Sequence, residues 1–213
     1  MSKKTDKLLA LLNGQPVIPV LKIERAKDAV PLARALAKGG LRVIEITLRT
    51  KEALEAIERA AKEVEEAVVG AGTILNAKQF KQAAKAGSQF IVSPGATKEL
   101  FKANRDHDVP LLPGAITPSE MMAALEADVD FLKFFPAEQA GGAAFLKSLA
   151  SPLAGIRFCP TGGVSAKNAN DYLSLPNVVC VGGSWVAPDD MVKQGKWTEI
   201  EALAREASKL AKA

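Results

Sequence analysis

Histidine, cysteine and aromatic residues are scarce in this chain: among 213 residues there is one histidine, there are two cysteines, and 5% are aromatic. Each shortage removes a class of function. The single histidine, His107, stands in the polar run Asn104-Arg105-Asp106-His107-Asp108 and argues against a zinc site of the multi-histidine kind. Cys159 and Cys180 lie in apolar, strand-like segments, where a reduced buried thiol is the expected state rather than a disulfide or a metal pair. No stretch approaches the ~18–20 uninterrupted apolar residues of a membrane span. The start, Met1 to Lys7, leads into an amphipathic run rather than an apolar signal core, so the expectation is a cytoplasmic protein with no membrane partner. A basic block is missing as well. The net charge is +4, and lysines are spread among acidic neighbours, as in Lys51–Glu66, which gives nucleic acid binding no support. What remains, 48% hydrophobic and 24% charged, suits one sizeable core, and residues 1–213 are expected to form a single domain.

Short β-rich apolar runs alternate with helix-period segments along almost the whole length. After a helix expected around Lys4–Leu12, eight strand-like runs follow: Val17–Lys22, Arg42–Thr47, Ala67–Thr73, Gln89–Val92, Pro110–Leu112, Asp130–Phe134, Ile156–Cys159 and Val178–Val181. Between them the pattern predicts helices over Ala26–Lys38, Lys51–Val64, Ala77–Ala86, Lys98–Arg105, Pro118–Glu126, Ala143–Leu149 and Ala166–Leu173, with Thr198–Ala211 closing the chain. Repeated βα units point to an α/β protein, and a single (β/α)8 TIM barrel with an extra N-terminal helix is the economical arrangement. A doubly wound open sheet uses the same units, and strand order cannot be read from local periodicity.

Lys133 interrupts the sixth of these runs, Asp130-Phe131-Leu132-Lys133-Phe134-Phe135-Pro136. A lysine in water has a pKa near ~10.4, so at pH 7 about one amine in a few thousand is neutral. Desolvation can lower a lysine pKa by ~3–5 units and so turn an amine into a nucleophile for Schiff-base chemistry. On this segment alone, a strand-end lysine reaching out to solvent is the competing reading.

The second run favours chemistry. In Arg42–Arg49, period-two alternation puts Glu45, Thr47 and Arg49 on one face and Ile44, Ile46 and Leu48 on the other. The same alternation groups Phe131, Lys133 and Phe135, so Lys133 and Glu45 both project inward. A lysine amine attacking a 2-keto acid forms a carbinolamine and then an imine, and each step needs a proton moved, a task that suits Glu45. A buried salt bridge holding strands together is the bland alternative. Arg49 offers a planar fork for a carboxylate, and Thr73 a hydroxyl beside it. Thr161-Gly162-Gly163 and Gly182-Gly183-Ser184 follow the two last strand runs, where barrels frequently bind phosphate, although a lone Gly-Gly pair is more often a tight turn.

Taken in order, Glu45-Ile46-Thr47-Leu48-Arg49-Thr50, Gly70-Ala71-Gly72-Thr73, Ser93-Pro94-Gly95, Pro113-Gly114, Lys133-Phe134-Phe135-Pro136-Ala137-Glu138, Phe158-Cys159-Pro160-Thr161-Gly162-Gly163 and Gly182-Gly183-Ser184-Trp185 resemble the 2-keto-3-deoxy-6-phosphogluconate aldolase family. The resemblance spans nearly the whole chain. It implies a class I aldolase on a (β/α)8 barrel that needs no metal or other cofactor, is usually a homotrimer, and cleaves 2-dehydro-3-deoxy-6-phosphogluconate to pyruvate and glyceraldehyde 3-phosphate in the Entner–Doudoroff pathway. By the same resemblance Lys133 is the Schiff-base lysine and Glu45 the general acid/base. Arg49 and Thr73 contact the pyruvate carboxylate, Thr161 lies near the reacting substrate, and Pro94 and Phe135 line the pocket. Gly162, Gly163, Gly183 and Ser184 form the phosphate site. Similar members also cleave 4-hydroxy-2-oxoglutarate to pyruvate and glyoxylate, and relatives directed at galactonate run the same chemistry with opposite stereochemistry at C4.

Overall fold

The computed structural model describes residues 3–210; Met1, Ser2 and the expected helix terminus at Ala211 lie outside that range. Nine strands occur among the described residues: β1 (Val17–Leu21), β2 (Val43–Thr47), β3 (Val68–Gly72), β4 (Phe90–Val92), β5 (Leu111–Leu112), β6 (Gly114–Ala115), β7 (Phe131–Phe134), β8 (Arg157–Pro160) and β9 (Val181–Gly183). Every pairing is parallel. The strands form a six-stranded sheet in the order β5-β4-β3-β2-β1-β9 and a three-stranded sheet in the order β6-β7-β8. Parallel bridges Phe158↔Val178 and Thr161↔Gly182 connect β8 to the β9 segment. Pro113 separates β5 from β6, because proline has no N–H to continue a ladder, yet its carbonyl still accepts from the Lys133 N–H at 2.9 Å.

Helices alternate with these strands: α1 (Lys3–Leu11), α2 (Ala29–Lys38), α3 (Ala53–Glu63), α4 (Ala77–Lys85), α5 (Lys98–Asp106), α6 (Pro118–Glu126), α7 (Gly142–Leu149), α8 (Ala169–Leu173), α9 (Asp189–Gln194) and α10 (Trp197–Ser208). Local chemistry explains several starts. Asn76 and Thr97 accept from backbone N–H groups of the first turns of α4 and α5, and Thr117 with Glu120 closes a capping box over Pro118 at the head of α6. The expected helix from Ala166 begins later, at Ala169. Asn168 Oδ1 accepts from the Ser165 N–H at 2.8 Å, and this side-chain bond holds the preceding residues in a turn.

Two apolar layers follow from period-two alternation. Outward-facing Ile44, Ile46, Val69, Ile91, Leu132 and Phe134 pack under the helices in one cluster. Inward-facing Ile18, Val43, Phe90, Val92, Leu112, Phe131, Cys159 and Cys180 form a second cluster drawn from both sheets, so the sheets curl around a shared interior. Leu8 and Leu12 join that inner cluster, which places α1 across the ends where the strands begin. Lys4 and Lys7 fasten α1 through bonds to the carbonyls of Arg105, in the last turn of α5, and of His107 and Asp108 just beyond it. One end of the interior is thereby closed with apolar side chains, and the polar side chains collect at the other.

Candidate active site

Lys133 and Glu45 meet at that polar end. Lys133 Nζ donates to Glu45 Oε1 at 3.3 Å, and the two side chains are 7% and 4% exposed. They come from strands on opposite sides of the interior. Glu45 sits in β2 opposite Gly70 of β3, and Lys133 in β7 between Gly114 of β6 and Cys159 of β8. A buried ion pair of this kind costs desolvation energy that its mutual attraction barely offsets, so it is weak as a stabilising device and informative as chemistry. Phe135 places its ring centroid 5.2 Å from the lysine nitrogen and shields it on one side.

The space for the Glu45 carboxyl is made by Gly72. A Cβ at that position would coincide with the Glu45 carboxyl group. The next residue, Thr73, has φ 59°, a conformation that costs a β-branched side chain about 1–3 kcal/mol and that tends to persist at functional sites.

A cavity of about 360 Å³ opens over the pair. All eleven residues expected at the site line it: Lys133, Glu45, Arg49, Thr73, Pro94, Phe135, Thr161, Gly162, Gly163, Gly183 and Ser184. Arg49 stands at the mouth just past the end of β2, exposed to the cavity, as is Ser184 past β9. Gly162 and Gly163 follow β8 with φ of 97° and 78°, a turn that only glycine adopts without strain, and both take part in the cavity wall. Thr161 is buried, with Oγ1 3.4 Å from the carbonyl of Cys159.

The glycine pair at the end of the chain's last strand is placed differently from the expectation. Gly182 and Gly183 lie inside β9 rather than in a loop after Val178–Val181, because Val181 to Gly183 pair with Val17 to Pro19 of β1. Their bare backbones leave room for neighbours: a Cβ on Gly182 would strike the Thr161 side chain, and one on Gly183 the ring of Trp185. Four further residues complete the lining, namely Val20, Thr47, Val164 and Gly182. Val20 was legible in principle, since it follows Ile18 at period two and pairs with Glu45, one layer above the inner cluster. Val164 carries no such signal, because it follows an irregular glycine turn. Among the described residues no group of three or more His, Cys, Asp or Glu could hold a metal ion.

Fold and pocket together define a parallel α/β protein with an amine, a carboxylate and a guanidinium converging on one small cavity, the equipment of carbonyl chemistry on an acidic substrate. The family model described as KDPG and KHG aldolase matches residues 9–203, and the chain belongs to that family. The chain is 48% identical over 203 residues to the KHG/KDPG aldolase of Escherichia coli K12, covering 95% of each. Its fold matches KDPG aldolase from Legionella pneumophila, captured at low pH with pyruvate as a covalent carbinolamine intermediate, with a TM-score of 0.92 at 42% identity over 94% of this chain and 97% of that one. It also matches the Zymomonas mobilis ZM4 2-keto-3-deoxy-6-phosphogluconate aldolase with 3-phosphoglycerate, at a TM-score of 0.90 and 50% identity over 96% of both chains.

Proposed function

We propose that this protein is a class I aldolase that cleaves 2-dehydro-3-deoxy-6-phosphogluconate to pyruvate and glyceraldehyde 3-phosphate through a Schiff base on Lys133. The observation that carries the reading is the buried contact of Lys133 Nζ with Glu45 Oε1 at 3.3 Å beneath a cavity with Arg49 at its mouth. The neutral amine adds to the C2 carbonyl, and the carbinolamine loses water to give an imine, with Glu45 moving the protons. The iminium then draws in the electrons of the C3–C4 bond as Glu45 removes the C4 hydroxyl proton. The aldehyde leaves, the enamine takes a proton at C3, and water releases pyruvate and restores the amine. Arg49 and Thr73 hold the carboxylate, Thr161 faces the reacting carbons, and Pro94 and Phe135 wall the pocket. The phosphate rests on Gly162, Gly163, Gly183 and Ser184, where backbone N–H groups can approach it closely.

The name of the E. coli relative, KHG/KDPG aldolase, favours a second activity on 4-hydroxy-2-oxoglutarate, whose shorter aldehyde product, glyoxylate, carries no phosphate. One domain spans the chain and forms a closed eight-stranded (β/α)8 barrel with α1 as an extra helix. Support comes from the two bridges between β8 and β9 and from β5 and β6 acting as one strand interrupted at Pro113. The protein works in the cytoplasm in the Entner–Doudoroff pathway, and no described helix is long and apolar enough to cross a membrane. It assembles as a homotrimer, for which exposed Leu75, Met122 and Leu125 supply apolar contact surface. Light scattering should return three times the chain mass of 22.5 kDa; a monomer mass at micromolar protein would refute the assembly.

Incubation with pyruvate and sodium borohydride, followed by peptide mass mapping, tests the chemistry. A single reduced pyruvyl adduct on Lys133, absent from Lys133→Ala, is the expected result. A folded wild-type protein that forms no adduct would return Lys133 to a structural role and bring forward a phosphate-binding isomerase or a non-catalytic barrel.

A further inference from the structure

We infer that Thr47 is a positioning residue that aims the Arg49 guanidinium at the carboxylate of the keto acid, an inference that rests on the aldolase reading above. Thr47 is 1% exposed, at the end of β2. A hydroxyl has one proton, and Thr47 donates it to the carbonyl of Leu21 at 2.8 Å. Toward Arg49 the oxygen can therefore only accept, which it does from Nε at 2.9 Å. The backbone adds a second tie, the Arg49 N–H to the Thr47 carbonyl at 2.8 Å. Leu21 is itself 2% exposed and paired with Ile46 between β1 and β2, so the acceptor that orients the hydroxyl is anchored in the sheet.

The consequence concerns a long side chain at an open mouth. Arginine loses more rotamer entropy than most side chains when it is fixed, a cost that falls on substrate binding unless the protein fixes it beforehand. With Nε held by Thr47, the guanidinium plane is set, and a carboxylate arriving from the cavity meets the Nη1–Nη2 edge as a bidentate partner. Thr47 thus acts on binding through Arg49 and touches no reacting atom.

Deuterium exchange at the methyl group of pyruvate reads this directly. Thr47→Val keeps the shape and removes the hydroxyl; it should raise KM for pyruvate about tenfold (~1.4 kcal/mol) with kcat within about twofold. Thr47→Ser should restore KM, and thermal melting checks that both variants are folded. In an Arg49→Lys background, which lacks Nε, Thr47→Val should change KM no further. An unchanged KM in Thr47→Val, or a full tenfold rise in the Arg49→Lys background, would overturn the role assigned to Thr47. Wild-type protein that exchanges no deuterium would overturn the aldolase reading and this inference with it.

Discussion

Glu45 owes its position to a missing atom on another strand. The side chain lies where a Cβ on Gly72 would be, and it meets Lys133 from there. Gly72→Ala adds one methyl group against a carboxyl group in a packed wall, where a displaced side chain moves as a unit. The lysine is left in place. Methyl-proton exchange on pyruvate, followed by NMR, should fall about 10²-fold or more in this variant, within the range lost with a general base. Circular dichroism should remain that of the folded protein. Exchange at the wild-type rate would show that Glu45 tolerates the methyl group, or that it is not on the proton path. Residue types alone pointed to Glu45 and Lys133, because a charge inside an apolar alternating run is costly without a partner. The role of Gly72 was hidden, since nothing in Gly70-Ala71-Gly72-Thr73 tells which glycine faces a carboxylate across the sheet.

Elements with a clean period were legible, and those shaped by contacts distant in sequence were not. β2 and β7 fall close to their expected bounds because each is a compact apolar run in which one charged residue, Glu45 or Lys133, marks the inward face. β9 begins at Val181 rather than Val178, a shift decided by its pairing with Val17, which no local pattern encodes. The short helix α9 escaped the periodic reading because six residues span less than two turns, although Pro188 before it and Gly195 after it, at φ 68°, mark its ends. α1 carries a larger structural duty than its marginal length suggests. Leu8 and Leu12 are each 1% exposed within the inner cluster. Leu8→Ala should cost about 2–5 kcal/mol in urea unfolding, as for other buried leucines. A loss below about 0.5 kcal/mol would show that α1 rests on the surface and does not fill the interior.

The whole molecule reports its own integrity through one side chain. Tyr172 is the only tyrosine, is 1% exposed, and donates its phenol proton to Glu138. Burial, and next that bond, raise its pKa above the ordinary tyrosine range. A free phenol titrates near ~10. The folded state therefore holds a proton that the unfolded chain releases, and this stabilisation is complete below the unfolded value and lost as pH rises through the folded one. Tyrosinate absorbance near 295 nm should stay absent at pH values just above 10 and emerge together with the loss of far-ultraviolet circular dichroism. A tyrosinate band at pH ~10 in a protein whose dichroism is intact would refute the protected phenol. The floor formed by α1 and the inner cluster bears equally on traffic. The interior beneath Lys133 is filled, so the proposed reaction has one doorway, with the three-carbon fragment bound to the lysine at the bottom and the aldehyde above it. Departure must follow that order: the aldehyde goes first, pyruvate second, and free pyruvate re-entering an empty well keeps the next molecule of substrate waiting outside.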